Sequence, residues 1–243
     1  MKNKVIHCCW FGRNPKSKLI QKCIESWKKY CPDYEIKEWN EDNFDINCCA
    51  YVREAYEAKK WAFVSDYCRF YILYNYGGIY LDTDVELLKT LDGLGQNFVG
   101  FEDSKRVNSG LVRGASKGDH ICELMLQSYH KDRFLKKDGS FNLMTVCDRE
   151  TQILQKFGMK LNNQMQVVCE TTIYPTEYFQ PIDMSTGIVH KTKNTVSIHH
   201  YTASWESGYN RLRGRIYKTV NRLFGKKAAE NLRKICGREK INK

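Results

Sequence analysis

Asp82 and Asp84 stand two residues apart at the end of an apolar run, Ile79-Tyr80-Leu81. If strand alternation continues through them, both carboxylates point to one side and can hold one hard divalent cation. Aspartate is a poor strand residue, and an unpaired carboxylate is costly to bury, so a bound cation would give the pair a reason. For a bare Asp-x-Asp a polar turn is the plainer account, and the cation site is the sharper one.

Asp66 and Arg69 form a second pair. They sit three residues apart within Trp61 to Tyr76, a stretch apolar or aromatic on nearly every helical face. Such a helix is buried, and i,i+3 spacing makes the two charges neighbours. They either satisfy each other or reach for the hydroxyls of a polar ligand; the spacing does not choose.

A third group lies far downstream, where His199-His200-Tyr201 precedes Ser204-Trp205. A histidine at a strand end can complete a metal site, and a tryptophan can stack on a planar base. A surface loop with a packed tryptophan is the plainer account. Asn108, in Val107-Asn108-Ser109-Gly110, is a further candidate polar contact.

These residues need a frame. Short strands are expected at residues 5–10, 34–39, 79–81, 98–101, 107–112, 166–169 and 195–200. Helices are expected from the loop after Pro15 to about residue 30, and at 48–57, 60–76, 119–129 and 143–156. Pro32 stops the first helix, and Gly77-Gly78 ends the run at 60–76. Strands and helices alternate without repeats, which predicts one α/β layer fold. In such folds ligands gather at the carboxyl ends of strands, where Trp10, Asp82, Asp84 and His200 all fall.

The chain has 243 residues with a net charge of +11 and 42% hydrophobic residues, which excludes general disorder. Twelve of its 39 basic and two of its 28 acidic residues fall from Tyr209 onward, so this segment carries +10 and the rest +1. Residues 1–208 read as the catalytic domain and 209–243 as a basic amphipathic helical tail. Leu212, Ile216, Val220 and Leu223/Phe224 recur at helical spacing among Arg211, Arg213, Arg215, Lys218, Arg222, Lys226 and Lys227. That pattern predicts attachment to an anionic membrane surface, with a helix packed on the body as the alternative. Gly214 and Gly225 weaken the helix. Nucleic acid is not expected as a partner, because the body is neutral and no recognition module is present. The eleven cysteines show no C-x-x-C pair and no zinc-ligand spacing. With no secretion signal or membrane span legible, they read as free thiols of a cytoplasmic protein.

Four blocks in order resemble glycosyltransferase family 32, the DXD-containing sugar transferases. They are Ile6-His7-Cys8-Cys9-Trp10-Phe11-Gly12; Ser26-Trp27 through Pro32-Asp33-Tyr34-Glu35-Ile36 to Trp39-Asn40; Ala62-Phe63-Val64-Ser65-Asp66-Tyr67-Cys68-Arg69 leading into Tyr76-Gly77-Gly78-Ile79-Tyr80-Leu81-Asp82-Thr83-Asp84-Val85; and His199-His200-Tyr201 with Ser204-Trp205. The resemblance implies a single-domain GT-A fold, a nucleoside diphosphate sugar donor (a UDP-sugar first), and Mn²⁺ or Mg²⁺. It implies that Asp84 ligates the metal and that Asp82 contacts ribose, sugar or metal. Asp66 and Arg69 would hold donor-sugar hydroxyls, completing a catalytic set of Asp66, Arg69, Asp82 and Asp84. Trp10 would lie by the base, with His7, Tyr80, Asn108, Ser204 and Trp205 as further donor contacts. His199 and His200 both stand as metal candidates, the family position favouring His199. The implied reaction is hexosyl transfer, with retention, to a lipid-linked capsular or surface polysaccharide precursor at the inner face of the membrane. The rivals are a protein-glycosylating effector and a non-catalytic membrane- or nucleic-acid-binding protein.

Overall fold

The computed structural model describes residues 3–202 and 208–235. Strands are β1 (Val5–Cys9), β2 (Glu35–Trp39), β3 (Gly78–Tyr80), β4 (Val85–Leu87), β5 (Phe98–Phe101), β6 (Val107–Ala115), β7 (Gln166–Val168), β8 (Thr171–Tyr174) and β9 (Ser197–His199). Helices are α1 (Lys18–Tyr30), α2 (Ala50–Glu57), α3 (Trp61–Tyr76), α4 (His120–His130), α5 (Val146–Lys156), α6 (Thr176–Phe179) and α7 (Gly208–Ile235). Seven strands form one mixed sheet in the order β2-β1-β3-β6-β5-β8-β7, and β4 and β9 form a second, two-stranded sheet. The α/β, single-domain class expected from the sequence is the one observed.

Local chemistry explains most boundaries. Ser17 caps α1 by accepting from the Ile20 N–H, and Thr145 caps α5 by accepting from the Asp148 N–H, so α5 starts later than its apolar pattern suggested. Gly77 and Gly78, at φ 67° and 105°, turn the chain from α3 straight into β3. β6 runs past its expected end because Arg113, fully buried, is held by Glu150 at 3.0 Å and Asp119 at 3.2 Å. A buried charge needs such partners.

The core lies on both faces of the central sheet. On one side α3 buries Val64, Phe70, Ile72 and Leu73; on the other α1 buries Ile20, Cys23 and Trp27. The Trp27 indole donates to the Val85 carbonyl at 2.7 Å, tying α1 to β4. All ten cysteines among the described residues are free thiols. No helix there is long and apolar enough to cross a membrane.

In α7 the backbone breaks at Gly225 (φ 81°, ψ 170°), while Gly214 is accommodated. The face expected to be apolar looks outward: Leu212, Ile216, Leu223 and Phe224 are each 47% or more exposed. The helix instead buries Tyr217 and Ala229, and Asn221 donates to the Ser185 carbonyl at 3.0 Å.

Candidate active site

β3 lies between β1 and β6, and the chain leaves it as a tight turn in which the Val85 N–H bonds the Asp82 carbonyl at 3.0 Å. Asp82 and Asp84 therefore sit on a turn between β3 and β4, not on an alternating strand. The two carboxylates still converge, because β4 pairs with β9 and sets Val85 opposite His199. One ligand atom each from Asp82, Asp84 and His199 lie within 4.8 Å of one another. This corrects the strand-alternation argument while keeping its outcome.

Each member is held separately. Asp84 Oδ1 lies 2.9 Å from His199 Nε2, and Oδ2 accepts from the Thr202 N–H at 2.8 Å and its hydroxyl at 2.9 Å. Burial opposes ionisation of Asp84, but His199 and the Thr202 donors outweigh it and hold the carboxyl well below the usual range. Burial likewise opposes the His199 imidazolium, yet Asp84 raises its pKa overall. Asp82 Oδ1 accepts from Tyr80 Oη at 3.0 Å and Arg69 Nη2 at 3.2 Å. Its Oδ2 faces Gly110, where a Cβ would stand 2.1 Å away, so only glycine fits.

Two carboxylates and an imidazole form a donor set suited to a divalent cation. The buried His199 Nδ1 has no partner, and the Gly110 cradle leaves Asp82 Oδ2 room. The residues fit the implied cation.

Arg69 connects this cluster to Asp66, at 2.8 Å, and its guanidinium packs over the Tyr80 ring at 4.8 Å. Burial pushes the Asp66 carboxyl up to about 6; Arg69 opposes this, but it is shared with Asp82, whose charge adds to the rise. The i,i+3 pair satisfies itself, the plainer of the two readings the spacing left open, and Arg69 also turns toward the Asp-x-Asp turn.

Other candidates land elsewhere. His7 is buried with both ring nitrogens engaged: Nδ1 accepts from the Trp39 indole at 3.2 Å, and Nε2 donates to the Gly77 carbonyl at 3.0 Å. Neither nitrogen is left free for the donor contact that the resemblance implies. His200 bonds Glu86 at 2.8 Å, away from the Asp82–Asp84 cluster; of the two histidine candidates it is His199 that joins the cluster. Trp10, half-buried just past β1, donates its indole N–H to the Asn14 carbonyl at 2.7 Å. Asn108 donates to Glu102 at 2.9 Å and accepts from the Gly110 N–H at 2.7 Å, shaping the cradle indirectly. Ser204 and Trp205 lie outside the described residues. Sequence reasoning missed Thr202 and Gly110. A glycine inside an apolar strand was a readable sign of close approach; a threonine after a histidine pair carried none.

The mixed sheet thus carries an Asp-x-Asp turn beside a buried Asp–Arg pair. Residues 17–99, the segment that holds Asp66, Arg69, Asp82 and Asp84, match the family described as glycosyltransferase sugar-binding region containing DXD motif. It is 31% identical over 124 residues, 49% of this chain, to an uncharacterized protein of Arabidopsis thaliana. It is 33% identical over 98 residues, 37% of this chain, to inositol phosphoceramide mannosyltransferase 3 of Schizosaccharomyces pombe. The matches cover 18% and 26% of those two proteins' own lengths. A solved structure, PaToxG glycosyltransferase, overlaps 64% of this chain and 69% of its own at TM-score 0.49 and 19% identity.

Proposed function

We propose that this chain is a metal-dependent hexosyltransferase that moves a hexose from a nucleoside diphosphate sugar to a lipid-linked glycan precursor, with retention. One observation carries the reading: the Asp82–Asp84–His199 cluster and the Asp66–Arg69 pair meet at Asp82, so a cation site and a hydroxyl-binding pair share one carboxylate.

Asp84, His199 and Asp82 would hold Mn²⁺ or Mg²⁺, which when bound supplies positive charge against the departing diphosphate. Asp66 accepts from, and Arg69 donates to, hydroxyls of the donor sugar, fixing its anomeric carbon. Tyr80 and Arg69 hold the Asp82 carboxylate in orientation. In the proposed step the bond from the anomeric carbon to the phosphate oxygen breaks and the bond to the acceptor oxygen forms on the same face. The acceptor hydroxyl proton passes to the leaving phosphate oxygen.

The relative named for mannosyl transfer and inositol phosphoceramide supports a lipid-borne acceptor. So does α7, whose exposed Leu212, Ile216, Leu223 and Phe224 share the helix with Arg215, Lys218, Arg222, Lys226 and Lys227. An apolar stripe flanked by cations suits an anionic bilayer and supports peripheral attachment at the cytoplasmic face. The test is nucleotide release from a panel of UDP- and GDP-hexoses with Mn²⁺. Release from at least one donor is expected; release from none would overturn the reading.

A further inference from the structure

We propose that the cleft beside α5 is the subsite for a neutral hexose ring of the acceptor, an assignment that rests on the transferase reading above. The cleft has a volume of about 480 Å³ and is lined by Asp103, Lys105, Arg106, Asp148, Gln152 and Gln155, among others. That is within the range of small-ligand sites, roughly 300–1,000 Å³.

Its location joins it to the donor side. The first turn of α5 has two tasks: the Val146 N–H bonds the Asp66 carboxylate, and Asp148, two residues on, forms a cleft wall. Arg106 lies 3.7 Å from Asp148 and is paired inward with Glu102. Glu102 accepts from Tyr201 Oη at 3.0 Å and Asn108 at 2.9 Å, and the Tyr201 ring packs 4.0 Å from that of His199. Tyr201 is held at φ 47°, a left-handed conformation that tyrosine adopts at a cost, so its placement is imposed by this network. Arg106, Glu102 and Tyr201 thus form one continuous wall from the cleft to the metal cluster.

The lining chemistry selects the ligand. Two carboxylates, two cations and two amides cancel in charge and offer donors and acceptors on several sides. A ring bearing hydroxyls can use both kinds at once. An acyl chain would find no apolar side chain among these six, and a phosphate would face Asp103 and Asp148.

The experiment measures binding of methyl α-mannoside, methyl β-galactoside and methyl α-glucoside by saturation-transfer NMR, in the presence of Mn²⁺ and UDP. Gln152 is exposed on α5, so Gln152→Trp fills the cleft without entering the core. At least one hexoside is expected to bind, with affinity reduced tenfold or more in Gln152→Trp and about threefold in Gln152→Ala. Lys156→Trp, on the same helix but outside the cleft, should bind as wild type does. Binding by no hexoside, or binding indifferent to Gln152→Trp, overturns the subsite. Nucleotide release from the donor panel separates the two readings. If it occurs while the hexoside result fails, only the subsite falls; if no donor is cleaved, both fall.

Discussion

His199 Nε2 lies 2.9 Å from Asp84 Oδ1, across 115 residues of chain. The β4–β9 pairing that brings them together also delivers Thr202, whose backbone and hydroxyl both donate to the other Asp84 oxygen. Asp84 is thereby fixed in orientation before any cation arrives. Thr202→Val keeps the backbone donor and removes the hydroxyl. A hydrogen bond to a charged group is worth about 1.5 kcal/mol or more, so kcat/KM for nucleotide release should fall roughly tenfold. Unchanged kinetics would show that the hydroxyl does not position Asp84.

Gly110 is the steric counterpart on Asp82. With a Cβ 2.1 Å from Oδ2, Gly110→Ala must displace the carboxylate or its own strand. Misplacing a reacting group by about 1 Å can cost on the order of a hundredfold in rate. Steady-state assays of Gly110→Ala should show that loss, and a variant with wild-type rates would place Asp82 outside the reaction.

Asp66 gives the activity a pH limit. Its carboxyl, pushed up to about 6 by burial, loses its charge as pH falls through that value, and with it the ability to accept from sugar hydroxyls. Donor KM should therefore rise below about pH 6 in the wild type, and Asp66→Asn should show a raised KM without that inflection. Unfolding does not explain the effect: a carboxyl with a raised folded pKa takes up its proton in the folded state first, so this group favours folding as pH drops from about 6 toward 4. Identical pH profiles for both proteins would dismiss the assignment.

His7 acts in the opposite sense on stability. Burial lowers its pKa to about 4, so between roughly pH 6.5 and 4 the unfolded chain binds a proton that the folded one does not. Its contribution is intact above about 6.5 and is lost as pH falls toward 4, by an amount on the order of 3 kcal/mol. Thermal melts should show wild type losing more stability over that window than His7→Gln. Parallel curves would mean that the imidazole is not held neutral.

Membrane attachment is testable apart from catalysis. Each cation near an anionic leaflet adds about 1 kcal/mol, so the five basic residues beside the exposed apolar stripe of α7 suffice for reversible binding. Protein lacking residues 209–243 should lose flotation with phosphatidylserine vesicles while the full chain floats. Equal flotation of both would contradict the role given to the tail.

Most of the frame was legible because its signals are local. Alternation marked β2, glycines ended α3, and i,i+3 spacing paired Asp66 with Arg69. What stayed hidden depends on partners distant in sequence. β4 is three residues long and exists through its pairing with β9, and β8 through its pairing with β5 and β7. His7 had the residue type of a ligand, yet Trp39 and Gly77 claim both its nitrogens. His199 and His200 are neighbours that face opposite ways, which only the register of β9 against β4 decides.

The central claim is that a cation held by Asp84, Asp82 and His199 drives loss of the nucleoside diphosphate. The direct test is nucleotide release by purified wild type and Asp84→Asn, each assayed with Mn²⁺ and with EDTA, with Mn²⁺ affinity measured by calorimetry alongside. The account predicts that EDTA abolishes wild-type release, and that Asp84→Asn is slower by about 10³-fold or more and binds Mn²⁺ more weakly. Near wild-type release by Asp84→Asn, or release indifferent to EDTA, would contradict it.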